Sequence, residues 1–282
     1  MDLWILYSDS FDNNIENPAT RMLNEANKFN IKAELLFYPY FKIEDDFLYY
    51  KDNLVLEYPK IVFMRGQAHE LVSFLEKKGV KSINSSYTIK ACRDKLITHQ
   101  IVESLGIPQI KTLKASDYSF IEAKDALGLP FILKYRSGCQ GIGIYIINNL
   151  DEYNNITKDL NLEDYLLQEY IKESYGKDLR IYICGNEAIG AVKRENDNDF
   201  KSNLAQGGLS YHYELTEELI KNSLLICKEL KGDIISVDYV FSKNGLLFCE
   251  ANTNAGFASF NYLGYPMRQI FMKYIKCLLE LH

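Results

Sequence analysis

The chain has 282 residues, of which 47% are hydrophobic and 25% charged, with a formal net charge of −6. That is ample for a large buried core divided among two or three subdomains, and it excludes a disordered chain. The negative balance argues against sequence-independent nucleic-acid binding, leaving only a local basic patch open.

Apolar runs and turn residues then mark the elements in order. Leu3 to Tyr7 reads as a first strand, Pro18 to Lys28 as a helix, and Lys32 to Phe37 and Lys60 to Met64 as two further strands, so a small parallel α/β unit is expected to end near Ser86. A helix from Thr88 to Leu105 is predicted to stop at Gly106-Ile107-Pro108, with Lys111 opening a short strand before a helix over Ser119 to Leu127. Phe131-Ile132-Leu133-Lys134 and Ile144 to Ile147 flank a glycine-rich turn. Beyond them come a helix over Asp151 to Leu160, a strand over Tyr165 to Ile171, and a hairpin of Leu179 to Cys184 with Ala188 to Lys193. A helix over Thr216 to Leu230 precedes strands over Ile234 to Phe241 and Leu246 to Asn252, joined through Asn244-Gly245, and a last helix runs from about Pro266 to Leu281.

Six cysteines at positions 92, 139, 184, 227, 249 and 277 include no CxxC pair. Neither a zinc framework nor a secreted disulfide scaffold is indicated, and a reducing cytoplasm is the expected location. The start of the chain has Asp2 where a signal peptide carries positive charge, and no segment is long and apolar enough to span a bilayer.

Two places carry chemistry. In Ser137-Gly138-Cys139-Gln140-Gly141-Ile142-Gly143, three glycines let the backbone approach a bound group and aim N–H groups at phosphate oxygens, with Lys134 adding a positive charge. The loop joins strand to strand, unlike the common phosphate loops, and suits a hairpin flap over a nucleotide; an ordinary glycine-rich hairpin turn is the alternative. Further on, Asp238 and Glu250 lie inside apolar strands, and Asn252 shares the face of Glu250 because side chains alternate. Three hard oxygen ligands suit magnesium together with nucleotide phosphates; edge-strand acids facing solvent are the alternative.

An ordered series of segments resembles the ATP-grasp superfamily, in its RimK-like branch of carboxylate-amine ligases, over roughly Lys90 to Gly256. The series is Cys92-Arg93-Asp94-Lys95, Gln140 to Gly143, Gln168-Glu169-Tyr170-Ile171, Gly176 to Arg180, Asp199 to Asn203, Gly207-Gly208, Asp238 and Glu250-Ala251-Asn252. The resemblance implies an ATP-grasp fold: a pre-grasp α/β domain over residues 1–87 and an ATP-grasp domain over 88–282. The latter would comprise a central α+β subdomain (88–167) with the flap and a C-terminal one (168–282) with the metal site, the two clasping ATP. It implies that Lys95 and Lys134 neutralise phosphate charge and that Gln140, Gly141, Ile142 and Gly143 cover the phosphates. Gln168, Glu169, Tyr170 and Ile171 would hold adenine, and Asp178 the ribose hydroxyls.

The resemblance further implies ATP with Mg2+, or Mn2+ in its place, at Asp238, Glu250 and Asn252. Arg180, Arg194 and Asn203 would act on the transferred phosphate and the oxyanion. The expected reaction joins an amino acid or other carboxylate to an amine on a small molecule, peptide or carrier-protein tail through an acyl phosphate. No nucleic acid or membrane is involved, and a homo-oligomer is left open. A nucleotide-binding regulatory protein without turnover and an ATP-dependent kinase are the alternatives. Lys193 to Asp199 departs from the paired arginines and longer acidic-glycine turn of the protein that gives the branch its name, so the resemblance does not by itself imply ribosomal-protein glutamylation. His99 and His212 receive no role, and Cys139 is expected to pack within its loop rather than to react.

Overall fold

A computed structural model describes residues 1–8, 17–138, 143–196 and 209–281. In the first unit, β1 (Leu3–Tyr7) leads to α1 (Pro18–Lys28), whose start is fixed by a proline in the first turn and by the Asn17 side chain accepting from Thr20 N–H at 2.8 Å. β2 (Ala33–Phe37) follows, and then a small antiparallel sheet that sequence reading missed: β3 (Phe41–Glu44), β4 (Phe47–Tyr50) and β5 (Asn53–Leu54). Its turns are built on Asp45-Asp46 and Lys51-Asp52, which take positive φ without glycine and so lack the usual signal. β6 (Ile61–Met64), α2 (His69–Lys77) and β7 (Lys81–Ile83) complete a parallel sheet of order β2-β1-β6-β7; a parallel sheet is what the alternation of strand and helix predicts, whereas α2 and β7 lie outside the elements expected from the sequence.

The helix expected over Thr88 to Leu105 is two helices, α3 (Ser86–Arg93) and α4 (Lys95–Ser104). Asp94 breaks them at φ −93° and ψ 101°, and its carboxylate accepts from Leu96 N–H at 3.0 Å. An aspartate competes for backbone N–H groups and prefers the cap to the helix interior. Next come β8 (Thr112–Lys114), α5 (Phe120–Leu127), β9 (Phe131–Tyr135), β10 (Ile144–Ile147), α6 (Leu150–Thr157) and β11 (Tyr165–Glu169). The strands form an antiparallel sheet of order β10-β9-β11-β8. β11 stops at Glu169, two residues short of expectation, because the chain turns at Lys172–Ser174.

The third of the larger sheets, of order β14-β13-β12-β15-β16, comprises β12 (Lys177–Cys184), β13 (Glu187–Glu195), β14 (Leu209–Tyr213), β15 (Ile234–Ser242) and β16 (Gly245–Asn252). β14 went unread in the sequence. α7 (Glu217–Glu229), α8 (Ala258–Tyr262) and α9 (Met267–Leu281) complete the described elements.

Each sheet has a core, and one core is shared. Leu133, Leu167 and Phe131 pack with Tyr153 under the second sheet. Ile181, Ile183 and Val237 pack with Ile226 of α7 and with Ala91 and Val102 of α3 and α4. Leu3, Ile5 and Phe63 of the first sheet join Tyr182 of β12 and Phe271 and Ile275 of α9 in a single cluster. The first unit is thus seated on the third sheet. No described helix is long and apolar enough to cross a membrane.

Candidate nucleotide and metal site

The period-two alternation of β12 places Asp178, Arg180 and Tyr182 on one face, and register does the rest. Arg180 stands opposite Asp238, Asp238 opposite Glu250, and Asp178 opposite Arg194. The Arg180 guanidinium donates to both Asp238 oxygens, at 2.7 and 2.5 Å. Arg194 donates from Nε to Asp178 Oδ1 at 2.7 Å and from Nη2 to Oδ2, and the same Nη2 lies 3.5 Å from Asp238. Burial drives the Asp238 carboxyl upward while the two guanidiniums pull against it. Burial also opposes the Arg180 charge, but the Asp238 carboxylate outweighs it and holds the guanidinium above its ordinary range.

The opposing wall comes from the second sheet and α4. Lys134 on β9 is 7% exposed, and its Nζ lies 3.6 Å from Glu250; Lys95, 6% exposed at the start of α4, lies 4.0 Å from the same carboxylate. Lys95 Nζ also donates to the Gly138 carbonyl at the base of the glycine loop and to the Arg136 carbonyl. Burial works against the Glu250 charge, yet Lys134, Lys95 and the Asn252 amide donating at 3.1 Å hold its carboxyl well below the usual range. Burial likewise opposes the Lys134 ammonium, but Cys249 in its thiolate form and the Glu250 carboxylate raise it above its ordinary value. The Cys249 thiol is pushed up to about 12 by burial, which makes it inert rather than nucleophilic.

Between these walls runs a cleft of about 150 Å³ floored by Ile110, Ile132, Ile144 and Val240 and edged by Glu169, Tyr170 and Ile171. Such a slot suits a flat apolar ring with polar edges. The Glu169 N–H is already spent on the Lys111 carbonyl at 3.1 Å, so the edge free of the sheet ladder begins at Tyr170. Gln168 lines the cleft, but its amide is bonded to Thr112 at 3.0 Å and contacts the His99 ring at 2.9 Å. His99 bridges further to Gln109 and the Cys249 carbonyl, tying α4 to β11 and β16. No sequence signal pointed to it.

Most of the expected site residues are therefore gathered in one place. Gly143 takes φ +72°, and a Cβ there would lie 2.9 Å from Tyr135 Cβ, so this position of the loop requires glycine. Asp178 is held by Arg194, so a ribose hydroxyl would share that carboxylate rather than find it free. Gln140, Gly141, Ile142 and Asn203, with Cys139 and Asp199 to Gly208, lie outside the described residues. The described residues contain no group of three His, Cys, Asp or Glu side chains placed to hold a metal. Two carboxylates with the Asn252 amide oxygen would form a hard-oxygen set of the kind magnesium takes, with both Asp238 oxygens then shared with Arg180.

A domain in which two sheets clasp such a cleft has the ATP-grasp fold. The RimK domain protein ATP-grasp from Sphaerobacter thermophilus superposes with a TM-score of 0.76 at 15% identity, covering 97% of this chain and 99% of that one. A D-alanine–D-alanine ligase from Bacillus anthracis, solved with ATP, gives 0.69 at 17% identity, with 99% of each chain covered. The model of the RimK-like ATP-grasp domain matches residues 92–275, and the chain belongs to that family. A probable alpha-L-glutamate ligase of Vibrio atlanticus is 34% identical over 191 residues, 66% of this chain and 64% of that protein. Human N-acetylaspartylglutamate synthase A is 30% identical over 194 residues, 66% of this chain and 50% of that protein. The chain spans half to just under two thirds of the length of these relatives.

Proposed function

We propose that the protein is an ATP-dependent ligase that joins a carboxylate to an amine, with glutamate or a related amino acid as one substrate. The observation that carries this reading is the convergence of Lys95 and Lys134 on Glu250 beside Asn252 and Asp238. Four cations, Lys95, Lys134, Arg180 and Arg194, face three carboxylates, Asp178, Asp238 and Glu250. The balance favours a polyanion that arrives with its own metal. A carboxylate is a poor acylating agent; phosphorylation by ATP gives it a leaving group that an amine can displace. Magnesium at Asp238, Glu250 and Asn252 would shield phosphate charge, and manganese, with similar oxygen preference, would substitute. Lys95 and Lys134 would hold the phosphates, the backbone from Tyr170 to Ile171 the adenine edge, and Asp178 the ribose. Arg180 and Arg194 would meet negative charge as it develops on the acyl group. Gln140 to Gly143 and Asn203 keep the phosphate-covering and site-closing roles expected from the resemblance. The division at residues 87 and 167 belongs to the same proposal, as does a cytoplasmic location, which the free thiols of Cys92, Cys184, Cys227, Cys249 and Cys277 support.

An ADP-release screen over amino acids, dipeptides and candidate carrier proteins, with mass spectrometry of the products, tests the reading. A ligase releases ADP and phosphate only with acid and amine together. A stable phosphorylated acceptor would make the protein a kinase, and ATP binding without turnover a regulatory protein. Lys134→Ala removes one charge-assisted phosphate contact and is expected to weaken Mg-ATP binding about ten- to a hundred-fold by calorimetry. Unchanged affinity would remove Lys134 from the site.

A further inference from the structure

Arg65 directly follows β6 in the first unit and is 6% exposed. Its Nη2 donates to the Ala255 carbonyl at 3.2 Å, while Nε and Nη1 are buried with no hydrogen-bond partner among the described residues. The guanidinium stacks on two rings, 5.7 Å from Phe63 and 5.5 Å from Phe257. A second guanidinium, that of the half-buried Arg268 in the first turn of α9, lies 5.7 Å from the same Phe257 ring, and that turn carries no acidic side chain. Neither arginine has a carboxylate partner among the described residues.

Cation–π contact offsets only part of the cost of desolvating a guanidinium, and two cations on one ring without an anion add mutual repulsion. A group buried at that cost and left unsatisfied calls for a partner brought from outside. The position says which one. Ala255 and Phe257 belong to the loop that follows Asn252, and the intervening Gly256 carbonyl lies 3.4 Å from Nη1 of Arg180. Arg65 and Arg180 therefore reach adjacent carbonyls of one loop, just beyond the proposed metal ligands. Neither Arg65 nor Arg268 lines the nucleotide cleft.

We propose that Arg65 and Arg268 bind a non-reacting carboxylate of the amino-acid substrate, with Phe257 as the apolar wall between them. The inference rests on the ligase reading, because an amino acid presented to the phosphate-binding residues needs its spare carboxylate held where it cannot be activated. Arg268 is the more exposed of the two cations, and binding to the two unpartnered nitrogens of Arg65 requires Phe257 to turn aside. The first unit thereby contributes directly to substrate selection.

The test uses the full chain and L-glutamate as probe. Calorimetry first measures binding of a non-hydrolysable Mg-ATP analogue, then binding of L-glutamate to the nucleotide-loaded protein, for wild type, Arg65→Gln, Arg65→Lys and Arg268→Gln. Wild-type nucleotide affinity is expected in all three variants. L-Glutamate should bind about ten- to a hundred-fold more weakly to Arg65→Gln and Arg268→Gln, with partial recovery in Arg65→Lys, which keeps the charge but not the fork. A wild type that fails to bind the nucleotide overturns the ligase reading itself. Nucleotide binding with no L-glutamate binding at millimolar concentration, or with glutamate affinity unchanged in Arg65→Gln and Arg268→Gln, overturns this proposal alone. Loss of the fold in both Arg65 variants with unchanged affinity in Arg268→Gln assigns Arg65 to the junction of the units and likewise overturns it.

Discussion

His99 is 2% exposed, and burial holds its imidazole down at about 4 despite the hydrogen bonds to Gln109 and the Cys249 carbonyl. In the unfolded chain it takes a proton near its ordinary 6.5, so between those values the unfolded state binds more protons than the folded one. Its contribution to stability is complete above pH 6.5 and is lost progressively as the pH falls towards 4, by about 3 kcal/mol in all. Urea unfolding should show His99 costing the native protein about 2 kcal/mol between pH 7 and pH 5, and His99→Gln should lack that component of the slope. A slope unaltered by the substitution would mean that another group titrates. At the same scale, a lone histidine on a predicted helix carries no sequence signal, because two of its three partners, Gln168 and Cys249, lie on strands far along the chain.

Asp94 shows how one residue shapes an element. Besides capping α4, its carboxylate accepts from Arg136 Nε at 3.1 Å and Nη2 at 2.5 Å, joining the start of α4 to the end of β9. The Lys95 N–H donates to the Arg136 carbonyl at 3.2 Å, so the helix start, the strand end and the phosphate-side lysine move together. Asp94→Ala removes the cap and one partner of Arg136, and is expected to cost about 1–2 kcal/mol in thermal or urea unfolding. Lys95 should also lose its fixed position, lowering Mg-ATP affinity in calorimetry by more than Arg136→Ala does, since that change spares the cap. Equal nucleotide affinity in Asp94→Ala and wild type would show that Lys95 is placed without the break.

Across the whole molecule, the first unit and the third sheet are bound through one core and one polar clamp. Phe271 of α9 meets Phe63 edge-on with ring centres 6.1 Å apart and packs on Tyr182 at 6.0 Å. The buried Asn84, just past β7, accepts from Asp233 and Ile234 N–H groups at 2.8 and 2.9 Å and donates to the Ile234 carbonyl at 2.7 Å. Lys81 and the Tyr274 hydroxyl both reach Asp233. Trp4, the only tryptophan, is buried in the first sheet, so its fluorescence reports that unit while far-ultraviolet dichroism reports the whole. The two signals should unfold together, and Phe271→Ala should destabilise both by about 3–5 kcal/mol. Separate transitions in the native protein would mean that the first unit folds on its own and only rests on the rest.

The order of strands and helices apart from β3 to β5, α2, β7, β14 and α8, the positions of Lys134, Asp238, Glu250 and Asn252, and the glycine at 143 could be read from the sequence. Each is set by local chemistry: apolar period, charge inside an apolar run, and a turn that only glycine fits. The Asp94 break was local too, yet the apolar period ran through it and hid the cap. What only the tertiary structure decided is who meets whom. Asp178 spends its carboxylate on Arg194, Asp238 on Arg180, and Lys95 and Lys134 share Glu250 across more than a hundred residues of chain. Arg65, indistinguishable in sequence from any surface cation, became a buried guanidinium only when the first unit met the loop beyond Asn252. Pair partners follow from strand register and the docking of sheets, and those depend on the sum of packing over the molecule rather than on any neighbourhood of the chain.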